Sequence, residues 1–215
     1  MTSFTTIDYP EHLRKKSNYY EFYSLKNKRN VQVYGMYAYY HCLKLELDSN
    51  ILSYCEYPYE IVLTETGLKP YSVIFDFGVI DSFNNRLIHN YHNDNSIKCR
   101  ETSYFEENWC NQNGIGYKDF SKEDLFNNSY YLNNLRYLYG LLKRTNGPLY
   151  IRYLNTLLNT ALDERSTLQQ LHSVLDVSAL DLYKVIAIGI RNGQLEIPLY
   201  DNIINYNMEV RRVIQ

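Results

Sequence analysis

The run Pro70-Tyr71-Ser72-Val73-Ile74-Phe75-Asp76-Phe77-Gly78-Val79-Ile80 constrains the fold of this chain more than any other stretch. Its β-branched and aromatic residues specify a buried strand, with one carboxylate set in the middle. Burying a carboxylate without a cation or hydrogen bonds is costly, so Asp76 is expected at a strand end or a bulge, facing a metal, a base or a cleft. Whatever fold forms has to be built around that acid.

The surrounding pattern supplies the other elements. The spacing of Tyr37, Tyr40, Leu43, Leu45 and Leu47 predicts a helix of about ten to twelve residues within 34–47, closed by the turn Asp48-Ser49-Asn50. Extended segments follow over 51–59 and 59–63, broken at Pro58, and then the Asp76 strand over 71–80. Asn84-Asn85 marks a turn and 86–91 the returning strand of a hairpin. A helix over 101–111, a strand over 115–120 and a helix opened by the S-x-x-D capping box at Ser121 come next. The segment 132–142 reads as a further helix, stopped by Asn146-Gly147-Pro148.

Charge narrows the partners. Lys plus Arg total 22 against 24 for Asp plus Glu, so no global positive field draws the chain to nucleic acid. Residues 1–32 form the one basic region, read as a polar arm: Arg14, Lys15, Lys16, Lys26, Lys28 and Arg29 against Asp8, Glu11 and Glu21. Such an arm is either a solvated tail or a tracker of phosphates. The 24 tyrosines suit cores and interfaces equally and do not choose between functions.

Cys42, Cys55, Cys99 and Cys110 contain no C-x-x-C pair and read as small buried hydrophobes. With no signal peptide and no apolar stretch of spanning length, the expectation is a reduced, cytoplasmic protein that does not enter membranes. His89 and His92, three apart and near Asp94, raise a metal site, but without a further cluster at ligand spacing they read as loop residues.

The order helix, acid-bearing hairpin, helix, strand, helix is that of a restriction-endonuclease-like α/β core. The chain resembles the TnsA family, the endonuclease subunit of heteromeric cut-and-paste transposases. The matching stretches are Leu43-Lys44-Leu45-Glu46-Leu47-Asp48 with Ile51-Leu52-Ser53-Tyr54-Cys55-Glu56-Tyr57-Pro58, then Phe75-Asp76-Phe77, then Ile115 to Leu125 running into Asn133-Asn134-Leu135-Arg136-Tyr137-Leu138. They span roughly 31–142, and the nuclease or pseudo-nuclease domain is placed at 33–145. The resemblance implies a PD-(D/E)xK nuclease, dependent on Mg2+, that cuts the strand opposite the one cut by a DDE-type transposase. It further implies double-stranded transposon-end DNA and an AAA+ ATPase regulator as partners, in a prokaryotic cytoplasm.

Carried over by position, the family aspartate is Asp76 and the helix glutamate falls on Ala38. The acid-x-lysine pair falls on Leu87 and His89, or on His89 and Tyr91, and neither register holds a lysine. Mg2+ requires a near-octahedral oxygen shell, which a single retained acid does not provide. The site therefore reads as degenerate, and Mg2+-dependent cleavage as absent from the chain as written. Two rescues remain open: Ala38 as an engineered replacement of a glutamate, or Glu46 or Glu56 entering the metal shell with His89 as general base.

Residues 146–215 read as a separate helical domain. Helices over 149–162 and 166–175, the second capped by Ser166, lead through Asp176-Val177-Ser178 into a third over 179–191, closed by Asn192-Gly193. A strand or wing over 194–200 completes a winged-helix pattern. From Asn146 onward six basic residues face seven acidic ones, which leaves no phosphate-neutralising footprint. The expected role is protein docking, with Lys184 and Arg191 as the cations on the third helix. The weakest alternative is a free-standing winged-helix DNA-binding regulator.

Overall fold

A computed structural model describes residues 4–15, 17–63, 70–92, 97–145, 148–160 and 165–213. The chain is mixed α/β and divides into two compact units, Met1–His41 with Asn50–Asn127, and Cys42–Ser49 with Asn128–Gln215. The change of unit after Asn127 precedes the boundary placed at 145 from the sequence.

In the first unit, a short helix α1 (Glu11–Arg14) precedes a hairpin of β1 (Tyr19–Ser24) and β2 (Arg29–Tyr34), in which Phe22 lies opposite Val31. This corrects the reading of 1–32 as an arm. Phe22, Ser24, Val31 and Val33 alternate with exposed residues and are buried, so period two, not net charge, governs this segment. Ser24 closes the turn, its carbonyl accepting from Lys28 N at 2.9 Å and its hydroxyl from Asn27 N at 2.9 Å.

Helix α2 (Met36–Leu47) starts in the first unit and ends in the second. A four-stranded sheet then runs in the order β3 (Ile51–Glu56), β6 (Phe77–Asp81), β7 (Arg86–His92), β8 (Gly116–Ser121). Its first two pairings are antiparallel and the last is parallel. The parallel pair needs a crossover, and α3 (Ile97–Gln112) provides it. Phe75, Phe77, Val79 and Ile88 are fully buried, with Ile61, Cys110 and Ile115 beside Phe75 and Ile88 in one cluster. Gly78 is needed there, since a Cβ would stand 2.5 Å from the Phe4 ring. Helix α4 (Lys122–Phe126) follows β8, and Ser121 Oγ accepts from Glu123 N at 3.2 Å.

The strand anticipated over 71–80 is two strands. β5 (Tyr71–Ile74) pairs with β4 (Glu60–Leu63), and β6 begins only at Phe77. Phe75 and Asp76 form the joint. Across it Phe75 N donates to Tyr59 O at 3.1 Å and Tyr57 N to Asp76 O at 2.9 Å. Tyr57 adopts φ 49°, a left-handed conformation costing a non-glycine residue on the order of 1 kcal/mol or more. Pro58 and this turn of the backbone bend the hairpin where the acid sits.

In the second unit, α5 (Ser129–Leu142) starts three residues earlier than the periodicity indicated, because Asn128 caps it by accepting from Tyr131 N at 2.8 Å. Then come α6 (Pro148–Thr160), β9 (Arg165–Thr167), α7 (Leu168–Val174), α8 (Ala179–Arg191), β10 (Leu195–Glu196) and β11 (Glu209–Arg212). The three strands form an antiparallel sheet in the order β10, β11, β9. Ser166 is a strand residue, and Thr167 is the cap of α7, in a capping box with Gln170. Gly193, at φ 68°, ends α8 as expected of the Asn-Gly pair.

The strand expected over 194–200 shrinks to two residues, Pro198 having no N–H to extend it. Residues 197–208 form an irregular segment held by the buried Asn134 of α5. Its amide donates to Leu199 O and Asn202 O, both at 2.8 Å, and accepts from Ile204 N at 3.1 Å. Tyr200 stacks on Tyr131 with centroids 4.2 Å apart. No helix of the described residues is long and apolar enough to cross a membrane.

Candidate functional site

Asp76 occupies the joint between β5 and β6 and is only 8% exposed. Oδ1 accepts from the Tyr37 hydroxyl of α2 at 3.0 Å, and Oδ2 from Tyr91 N of β7 at 2.8 Å. The backbone N of Asp76 donates to Asn90 Oδ1 at 3.0 Å. Burial raises its carboxyl pKa to about 6, against the opposing effects of the Lys122 charge, Tyr91 N–H and the Tyr37 hydroxyl. Tyr37 is itself pushed well above a normal tyrosine, by burial first and then by Asp76, and so remains a donor.

Leu87, His89 and Tyr91 share one face of β7, so alternation alone does not choose between the two registers for the missing acid-x-lysine pair. His89 and Tyr91 both contact α2, while Leu87 lies further along the strand opposite Val79. His41 of α2 bridges them, Nε2 lying 3.1 Å from His89 Nδ1 and Nδ1 lying 2.6 Å from the Tyr91 hydroxyl. Two neutral assignments satisfy both contacts: Tyr91 donates to His41 Nδ1 and His41 Nε2–H to His89 Nδ1, or His89 Nδ1–H donates to His41 Nε2 and His41 Nδ1–H to the Tyr91 oxygen. The His41 ring packs among Phe77, Tyr91 and Phe120. His89 is thus a buried strand residue, not one of a loop, and its Nδ1 already faces His41.

The donor set does not fit Mg2+. Ala38 is fully buried on α2 and offers no oxygen. Glu56 is held bidentately by Arg29, at 2.7 and 2.5 Å. Both Asp76 oxygens already accept hydrogen bonds. Among the described residues no group of three His, Cys, Asp or Glu side chains is arranged to hold a metal ion.

A cation does stand beside Asp76, and reading the sequence by family position missed it. Lys122, the first residue of α4, sets its ammonium 4.1 Å from the centroid of the Tyr37 ring, whose hydroxyl binds Asp76. Its charge is the largest influence favouring ionised Asp76. Only the pairing of β8 beside β7 brings position 122 to position 76.

The opposite face of β7 carries a second polar group. Asn90 Nδ2 donates to Glu106 Oε2 at 2.8 Å, and the Tyr117 hydroxyl donates to the same oxygen at 2.6 Å. His92 Nε2 lies 3.3 Å from both Glu106 and Asp119. The hydrogen bond to Glu106 raises the His92 pKa above its ordinary value, although burial opposes it. His89 and His92 therefore face opposite ways, and Asp94 lies outside the described residues.

The basic residues of the expected arm divide. Arg29 is committed to Glu56, and Lys26 donates to Ile51 O. Arg14 lies 3.7 Å from Asp8, and Lys15 pairs with Glu11 at 2.8 Å on the surface. Lys28 sits in the β1–β2 turn, and Lys16 lies outside the described residues. In the second unit Lys184 is not an open docking cation: its ammonium donates to the Tyr150 hydroxyl at 2.9 Å and to Asp181 at 3.0 Å. Arg191 is half-buried at the end of α8. Compared with known protein families and with curated proteins, the chain has no match in either.

Proposed function

We propose that this chain is a TnsA-like subunit of a heteromeric cut-and-paste DNA transposase, acting at transposon ends with a DDE-type transposase and an AAA+ regulator in a prokaryotic cytoplasm. The observation that carries the reading is the position of Asp76. It stands at the bend of a hairpin, beside the α2-facing pair His89 and Tyr91 and against the helix that bears Ala38. The sheet order β3, β6, β7, β8 with a parallel last pair fits a restriction-endonuclease-like core. One acid with a nearby lysine, and no metal-holding group of carboxylates among the described residues, suit holding DNA better than hydrolysing it.

In the second unit the order helix, strand, helix, helix and hairpin fits a winged helix. Helix α8, the would-be reading helix, packs against both α5 and α6, and Leu182, Val185, Ile186, Ala187 and Gly189 are buried. The segment in the wing position is tied to Asn134. With so much of α8 covered and no basic footprint on it, protein docking is the reading we favour for this unit over DNA reading.

A working Mg2+-dependent endonuclease is the second reading, and Lys122 favours it by supplying a lysine, which β7 lacks. Size-exclusion chromatography with a DDE transposase and an AAA+ partner, alongside nicking of end-bearing plasmid in Mg2+ or Mn2+, separates the two. Co-elution without nicking is expected. Nicking abolished by Asp76→Ala overturns the degenerate site in favour of the second reading, and failure to co-elute with either partner overturns the assignment.

A further inference from the structure

A cavity of about 330 Å³ in the first unit is walled by Tyr9, Tyr34 and Tyr57, with Arg14, Asn30 and Gln32 at its edges. We infer that this cavity receives one unpaired nucleobase of a nucleic-acid strand. The inference rests on the proposed DNA function and locates a part of it that the family resemblance does not indicate.

The wall is aromatic and ordered. Tyr9 lies on Tyr34 with centroids 5.1 Å apart and planes 9° from parallel, and its centroid is 4.2 Å from that of Tyr57. Tyr19 continues the surface 5.5 Å from Tyr34, and the Arg14 guanidinium lies 5.9 Å from the Tyr34 centroid. Tyr57 is buried beneath Tyr9, so the ring surface open to a base is that of the partly exposed Tyr34 and Tyr9 and the exposed Tyr19, to which arginine adds a cation–π contribution.

Charge excludes a bare phosphate as the occupant. Two arginines line the cavity, but Arg29 is locked on Glu56 and Arg14 stands 3.7 Å from Asp8. Two cations against two carboxylates leave a neutral slot, which selects a planar uncharged ring. Gln32, exposed on β2, provides an amide donor and acceptor for a base edge, beside Asn30, whose Nδ2 donates to Glu21 at 3.0 Å and whose Oδ1 is an acceptor. The volume is at the small end of ligand cavities, matching one base with its sugar.

Position links the slot to the acid. Tyr57 belongs to the wall, and its backbone N donates to the carbonyl of Asp76 at 2.9 Å. The left-handed Tyr57 is pinned on three sides: by that bond, by Ile7 N donating to its carbonyl at 2.9 Å, and by Tyr34 N donating to its hydroxyl at 2.8 Å. Strain held this firmly marks a site rather than a linker. A base unstacked into the slot lies next to the bend that presents Asp76.

The test is fluorescence anisotropy of the full chain with three labelled duplexes, alike except at the end: blunt, with one unpaired nucleotide, and with one abasic overhang. The unpaired base is expected to tighten binding about tenfold, and the abasic overhang not at all. Tyr34→Ala and Gln32→Trp, the second blocking the slot from an exposed strand position, should each remove that gain while leaving blunt-duplex affinity unchanged. Phe83→Ser, at the exposed β6–β7 turn, should keep it. Equal affinity for all three ends, or a gain that survives Gln32→Trp, overturns the inference. Displacement of the overhang by a free nucleoside monophosphate as effectively as by an unlabelled overhang overturns the nucleic-acid assignment in favour of a small-molecule site. If no duplex binds, the DNA function fails. The slot is then read by saturation-transfer NMR with a single-stranded trinucleotide, where transfer from tyrosine protons upholds it and its absence overturns it.

Discussion

On the α3 side of β7, Asn90, His92 and Tyr117 converge on one buried carboxylate, Glu106, while on the α2 side Tyr37 and the backbone of Tyr91 converge on another, Asp76. Both acids are buried and both accept hydrogen bonds, yet they are placed differently. Glu106 is part of a closed network that extends through His92 to Asp119 and through Asp119 to Ser103. Asp76 sits at a bend, and its ionisation is disfavoured, with a pKa of about 6. A buried acid that ties elements together is a structural device. One whose ionisation weakens its own fold is a candidate for a further role.

Removing the closed network should have the largest effect. Glu106→Ala strips three polar side chains of their acceptor and is expected to lower stability by about 3–5 kcal/mol, read by urea unfolding. A loss under about 1 kcal/mol would break the contrast. Asp76→Asn should move stability the other way. The Asp76 pKa is raised on folding, so its cost is absent below the unfolded value, grows as pH rises from 3.8 to about 6, and is full above that. The variant should match the parent near pH 4 and exceed it by about 2 kcal/mol at pH 7.5. A destabilised variant at pH 7.5 would show that the two acids are alike.

A smaller change sharpens the comparison. Tyr37→Phe removes one hydrogen bond to ionised Asp76, at a cost of about 1 kcal/mol, and should carry the Asp76 titration, followed by carboxyl carbon NMR, above its starting value. An unmoved titration would mean that the hydroxyl is not a partner of the anion. The smallest effect concerns His92, whose pKa is raised on folding. Its contribution is complete below the unfolded value of about 6.5 and fades as pH passes the folded one. The stability gap between the parent and His92→Asn, on the order of 1 kcal/mol at pH 6, should narrow by pH 8. A gap constant across that range would remove the imidazolium from the α3-side network.

Much of this architecture was legible because local patterns and tertiary demands agree. The acid inside an apolar run required a strand interruption, and the sheet breaks at Phe75-Asp76. Asn192-Gly193 ends its helix through a left-handed glycine. The misread hairpin over 19–34 shows the opposite case: lysines and arginines in its turn and flanks carried the charge count, while Phe22, Ser24, Val31 and Val33 carried the fold. Lys122 and His41 escaped for a different reason. They join the site through the pairing of β8 and the packing of α2, contacts 46 and 48 residues apart in sequence that no local spacing encodes. Glu106 was hidden likewise, as an acid within a helix whose burial depends on what lies beneath it.

Asn134 grips the 197–208 segment almost wholly through backbone groups, two carbonyls and one amide. The segment's path is consequently set by few of the side chains along it, Tyr200 stacking on Tyr131 while Ile203 projects outward. Substitutions at the exposed positions there can change the surface of the C-terminal unit without redrawing its contour.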